Sequence, residues 1–97
     1  MKVVAICGSM KFADQMKEIA YELESEKGVC VIQPTYNEKK RKESIENLER
    51  IFAGHVRKLE LADAIYVVNI NGYIGEQTKS DIAFAKKKKM EIIYHEK

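Results

Sequence analysis

The chain predicts a single α/β domain in three layers, with a four-stranded parallel sheet between helices. Three observations carry this. Four short runs read as strands: Val3–Cys7, Val29–Ile32, Ala64–Ile70 and Glu91–Tyr94. The first three are apolar almost throughout, as strands covered on both faces are. Between the runs lie three segments with helical spacing of their apolar residues, so strand and helix alternate from end to end. Right-handed crossovers then set helices on both faces of a parallel sheet, with expected strand order 2-1-3-4, a flavodoxin/Rossmann-like sandwich.

Each element follows from its own residues. Val3–Cys7 is broken by Gly8-Ser9, and from about Ala13 the residues Met16, Ile19, Ala20 and Leu23 mark a helix that Lys27-Gly28 stops. Val29–Ile32 is closed by Pro34, the only proline. Residues 35–43 are polar and charged without a period, which predicts a mobile loop. Ile45, Leu48, Phe52, Val56 and Leu59 predict a long helix over 44–61. After the third strand, Asn71-Gly72-Tyr73-Ile74-Gly75 reads as a loop, and a third helix is expected over 78–89 before the last strand.

Composition narrows the class. At 97 residues there is room for one core, and a domain this small gains from self-association, so a homo-oligomer, a dimer at its simplest, is expected. Hydrophobic residues at 45% and charged residues at 33% exclude disorder and collagen-like structure. No apolar run reaches the roughly 18–20 residues of a membrane span. Nor does the N-terminus resemble a signal peptide, which predicts a cytoplasmic protein. The net charge of +2 is patchy: Lys39-Lys40-Arg41-Lys42 and Lys86-Lys87-Lys88-Lys89 hold 8 of 17 basic residues. Neither run has an aromatic inside it, so nucleic acid is not an expected partner, and the second run suits the negative end of a helix dipole. Cys7 and Cys30 lie in apolar runs without metal-type spacing and read as reduced, buried thiols; no metal or organic cofactor is expected.

In order 2-1-3-4 the connections reverse direction between strands 1 and 3, and ligands bind at the carboxyl ends of the strands flanking such a point. Two segments are thereby selected, Gly8–Phe12 and Asn69–Asp81. Gly8-Ser9-Met10-Lys11 has the parts of an anion site: a glycine for close approach, helix N–H groups, a hydroxyl and a cation. Asp81 is the acid nearest the switch point, but Thr78-Lys79-Ser80-Asp81 also reads as a capping box with Asp81 serving the helix start. Both readings stand at this point. Asp63 falls at the wrong end of a strand and suits turn hydrogen bonding. His55 lies on the apolar side of the second helix, near enough to its end to look toward the cleft. Tyr73 and Asn69 are candidates for stacking on, and bonding to, a planar ligand.

Ile6-Cys7-Gly8-Ser9-Met10, the helix from His55 to Asp63, and Asn71-Gly72-Tyr73-Ile74-Gly75-x-x-Thr78-x-x-Asp81-Ile82-Ala83-Phe84-Ala85 resemble the nucleoside 2-deoxyribosyltransferase family. They are similar also to its relatives, the deoxynucleoside 5′-monophosphate N-glycosidases. The resemblance spans nearly the whole chain outside residues 35–43. It implies that Asp81 attacks C1′ of a nucleoside or nucleoside 5′-monophosphate to form a glycosyl-enzyme, which a second base or water then resolves. It implies further that Gly8, Ser9, Met10 and Lys11, with Ser80, hold the 5′ end of the sugar, Lys11 favouring a monophosphate, and that Asn69, Tyr73 and Gly75 lie by the base. Two departures stand out: the family carboxylate is normally Glu, one methylene longer, and His55 occupies the place of a family Asp, where it is a candidate proton donor to the base. The alternative is a binding module that holds a nucleotide in the same pocket without turnover.

Overall fold

Alternation along the central strands sorts their side chains onto two faces, and each face receives its own helices. The computed structural model describes residues 1–97. The strands are β1 (Val3–Gly8), β2 (Cys30–Ile32), β3 (Ala64–Val68) and β4 (Glu91–Tyr94); the helices are α1 (Ala13–Lys27), α2 (Ile45–Leu61) and α3 (Glu76–Lys87). All strand pairs are parallel, in the order β2-β1-β3-β4, the sheet expected from the sequence. β1 and β3 are in register from Val4 beside Ala64 to Gly8 beside Val68, so their carboxyl ends finish level with each other.

On one face Ile6 and Val68 pack with Phe12, Met16 and Ala20 of the α1 side. On the other, Ala5, Cys7, Ile65 and Val67 meet Leu59 of α2 and Ala85 of α3. These residues are removed from water almost completely, each large aliphatic side chain contributing about 1.5–3 kcal/mol. Asp63 ties the amino-terminal edge: its carboxylate accepts from Val3 N–H at 2.8 Å while its own N–H donates to Val3 O at 2.7 Å. That is the turn role read from the sequence.

The helix ends show local chemistry. α1 stops at Gly28, which adopts φ 64°, a left-handed conformation that costs glycine little. Ser44 caps α2 by accepting from Asn47 N–H at 3.1 Å. Residues 33–44 form no helix or strand, and within them the Asn37 side chain bonds both the N–H and the C=O of Arg41. Lys86 and Lys87 occupy the exposed last turn of α3, where the dipole favours cations.

Two elements, β3 and α3, have ends two residues away from expectation. β3 ends at Val68, not Ile70, because the chain leaves extended geometry at Asn69 and turns through a short 3-10 segment, Ile70–Gly72, with Asn71 at φ 56°. α3 begins at Glu76, two residues before Thr78, and ends at Lys87 rather than Lys89. Its N-cap is Gly75, which makes no side-chain cap. The capping-box reading of Thr78 and Asp81 therefore fails: Asp81 lies in the second turn, beyond reach of the helix start.

Candidate functional site

A cavity of about 360 Å³ opens at the carboxyl end of β1, where the topology predicts a ligand. Ile6, Cys7 and Gly8 form its floor, and Met10 and the Pro34-Thr35 segment border it. α2 supplies Leu48, Ile51, Phe52 and His55, and α3 supplies Gln77 and Asp81. A Cβ at position 8 would be tight, 3.1 Å from Met16 Sδ and 3.2 Å from Val68 Cβ, so a larger residue there requires its neighbours to shift.

Asp81 is 3% exposed, and a carboxylate so placed needs partners. It has two. His55 Nε2 stands 2.8 Å from Asp81 Oδ1, and Gln77 Nε2 donates to the same oxygen at 3.0 Å. Because a carboxylate only accepts, His55 Nε2–H is the donor of this bond. The second oxygen, Oδ2, takes no N–H or O–H donor from the protein, yet the structure leaves no buried polar side-chain atom unpartnered. Asp81 is among the residues that line the cavity. Oδ1 is tethered by two donors. Gln77 is bonded four residues along the helix from Asp81, the spacing at which side chains of one helix face meet. The sequence reading missed it, and that spacing was the available signal.

Below the carboxylate, burial pushes the Cys7 thiol well above its ordinary range, with the Asp81 charge and a hydrogen bond to Asp81 acting in the same sense. A thiol so raised stays protonated at neutral pH and is a poor nucleophile. Alkylation by iodoacetamide at pH 8 is expected to modify the partly exposed Cys30 at least about tenfold faster than Cys7. Equal rates, read by peptide mass spectrometry, would contradict this burial.

Of the residues expected at the site, Gly8, Met10, His55 and Asp81 line the cavity. Ser9, Lys11, Tyr73 and Gly75 gather beside it: Ser9 and the Tyr73 ring both flank Gly75, and Lys11 Nζ sits 3.3 Å from the Tyr73 ring centroid. Ser9 Oγ caps the short turn after β1 by accepting from Lys11 N–H at 3.3 Å. Ser80 is exposed on α3 and does not line the cavity. Asn69 is elsewhere. Its side-chain amide exchanges two hydrogen bonds with the Glu96 backbone, at 2.9 and 2.8 Å, and so clamps the end of the chain against the turn after β3. No group of three His, Cys, Asp or Glu side chains is placed to hold a metal ion. No helix is long and apolar enough to cross a membrane.

Fold and cavity together define a doubly wound α/β protein with a buried carboxylate, paired to a half-buried imidazole, at its topological switch point. No family model matches the chain, and no curated protein matches it in sequence. A conserved protein from Enterococcus faecalis V583, known from its crystal structure, is similar in fold, with a TM-score of 0.67 at 15% identity over 97% of this chain. The chain spans 62% of that protein's length.

Proposed function

We propose that the protein cleaves or transfers the N-glycosyl bond of a deoxynucleoside or its 5′-monophosphate, with Asp81 as the attacking carboxylate. The observation that carries the reading is the setting of that group: a buried carboxylate that lines the cavity, with Oδ1 held by His55 and Gln77 and no N–H or O–H donor on Oδ2. An oxocarbenium-like transition state gains from a fixed anion beneath C1′, and the same oxygen can then capture the sugar. The sequence resemblance to deoxyribosyltransferases supports the same assignment.

The steps follow from the placement. Oδ2 bonds to C1′ as the C1′–N bond breaks, and that electron pair leaves with the base. The base takes a proton from the His55 imidazolium, whose hold on Oδ1 weakens as the carboxylate charge is consumed in the new bond. Water or a second base then attacks C1′, restores the carboxylate and returns a proton to His55. Met10, Leu48, Ile51 and Phe52 offer the apolar walls on which a planar base would rest, a role expected of Asn69 and Tyr73 from the sequence. Incubation with a panel of deoxynucleosides and their monophosphates, followed by chromatography of free base, tests the reading. No base released from any of them refutes it.

Free thiols at Cys7 and Cys30 favour a reducing compartment, the cytoplasm, as the place of action. Self-association is supported by the exposed stripe Ile45, Leu48 and Phe52 on α2, a helix whose only buried residue is Leu59. Light scattering is expected to give a mass above 11.2 kDa for the native protein and a monomer for Ile45→Glu. A monomeric native protein contradicts the assembly.

A further inference from the structure

α3 ends in a turn whose left-handed position glycine usually fills, and here a lysine fills it. Lys88 is the C-cap, and Lys89 takes φ 58°. Lys89 N–H donates to Lys86 O at 3.1 Å and Met90 N–H to Ala85 O at 2.8 Å, the paired bonds of a Schellman turn. The same chain closes α1 with Gly28 at φ 64°. A residue with a Cβ loses stability in that conformation, so position 89 keeps a lysine against the local preference. The helix dipole does not account for it. Lys86 and Lys87 already meet that field in the last turn, and it fades beyond them. All four lysines from Lys86 to Lys89 are exposed and none is in an ion pair, whereas Lys2, Lys17, Arg57 and Lys79 each hold a carboxylate.

Beside these lysines a cleft of about 330 Å³ opens between the ends of α2 and α3. Ala62, Phe84 and Met90, all half-buried, give it an apolar lining, and Lys88 borders it with its ammonium 6.0 Å from the Phe84 ring centroid. Glu60 is the one acid there, and Arg57 holds it at 3.4 Å. We infer that this end of α3 docks an acidic segment of a partner protein, its carboxylates on the lysines and an aliphatic side chain in the cleft. Charge complementarity sets the sign of the partner. The recess sets its class, since an apolar anchor seated in a pocket is how a protein segment gains affinity. Nucleic acid would use exposed rings for stacking, and the aromatic residue in the cleft, Phe84, is half-buried with Lys88 above it. The surface lies at the far end of α3 from Gln77 and Asp81, so a docked partner leaves the cavity open and the inference stands apart from the glycosyl chemistry.

Fluorescence anisotropy at low ionic strength, with a labelled glutamate-rich peptide carrying a central Leu-Leu pair as probe, tests this. The expected Kd is on the order of 10–100 μM, weakened at least about fivefold when both leucines are replaced by serine. Lys88→Glu combined with Lys89→Glu changes exposed positions only, and is expected to weaken binding at least about tenfold in a protein that circular dichroism shows to be folded. Lys89→Gly is expected to weaken binding about threefold while raising Tm by about 4 °C, because the turn gains the residue it favours. No binding of the peptide, equal affinity for its serine form, or undiminished affinity in the double variant overturns the inference. So does tighter binding of a single-stranded oligonucleotide or of phosphatidylserine vesicles, or a fall in Tm in Lys89→Gly.

Discussion

Asp81→Asn is expected to lower base release by at least about a thousandfold while the protein still folds. The magnitude is that of losing a nucleophile whose covalent step carries the reaction. Asn is close in shape and keeps an oxygen where His55 and Gln77 both donate, so the bonds that position the group can persist. What it lacks is the negative charge that stabilises an oxocarbenium ion and the reactive oxygen that captures it. Circular dichroism and thermal unfolding serve as the control, because a folded, inactive Asn variant separates chemistry from collapse. Asp81→Ala is a poorer probe. It leaves the half-buried His55 donor without its acceptor, at a cost of about 1–3 kcal/mol, while the exposed Gln77 amide turns to water. Base release within tenfold of the native rate in Asp81→Asn removes Asp81 from the role of nucleophile.

The second large effect concerns stability. Ile65 is fully buried on β3, paired with Ala5 and Ile92 of the neighbouring strands and packed in the core under α2 and α3. Ile65→Ala should destabilise the protein by about 2–5 kcal/mol, through lost transfer energy and the cavity left behind. For a domain of this size that lowers Tm by roughly 10 °C or more. Total stability for such a domain is about 5–15 kcal/mol, so the upper end approaches unfolding at growth temperature. A loss below about 1 kcal/mol in urea denaturation shows that the sheet relaxes to fill the space.

Much of this architecture was legible in the chain. Val3–Cys7 and Ala64–Val68 could only be strands covered on both faces, and the glycine at 28 marked the α1 stop without ambiguity. The errors have physical causes. Thr78-x-x-Asp81 has the spacing of a capping box, but a cap needs the first turn, and tertiary contacts start α3 at Glu76 instead. Asn69 and Ile70 continue the third strand's run in sequence, while in the fold the Asn69 side chain exchanges two hydrogen bonds with the Glu96 backbone and the chain turns out of the sheet there.

The site was legible in outline. Topology located it at the end of β1, and Asp81 and His55 were candidates, but periodicity could not say that they touch across 26 positions of chain. The α2 stripe of Leu48 and Phe52 was read as helix spacing alone. Spacing identifies a face; it does not tell where the sheet beneath that face ends. Leu59 lies over the sheet and is buried, whereas Leu48 and Phe52 project past it and become cavity wall. Gln77 escaped notice because an exposed polar residue on a helix is ordinarily solvated, and only the position of Asp81 gives it a partner.

The account depends on Asp81 Oδ2 forming a bond to the anomeric carbon of a sugar. Rapid acid quench of the protein with a hydrolysable deoxynucleoside, followed by digestion and mass spectrometry, tests this directly. The expected result is a deoxyribosyl mass increment on the peptide that contains Asp81, absent from Asp81→Asn. An increment on a different peptide, or steady base release with no adduct at any quench time, would contradict it.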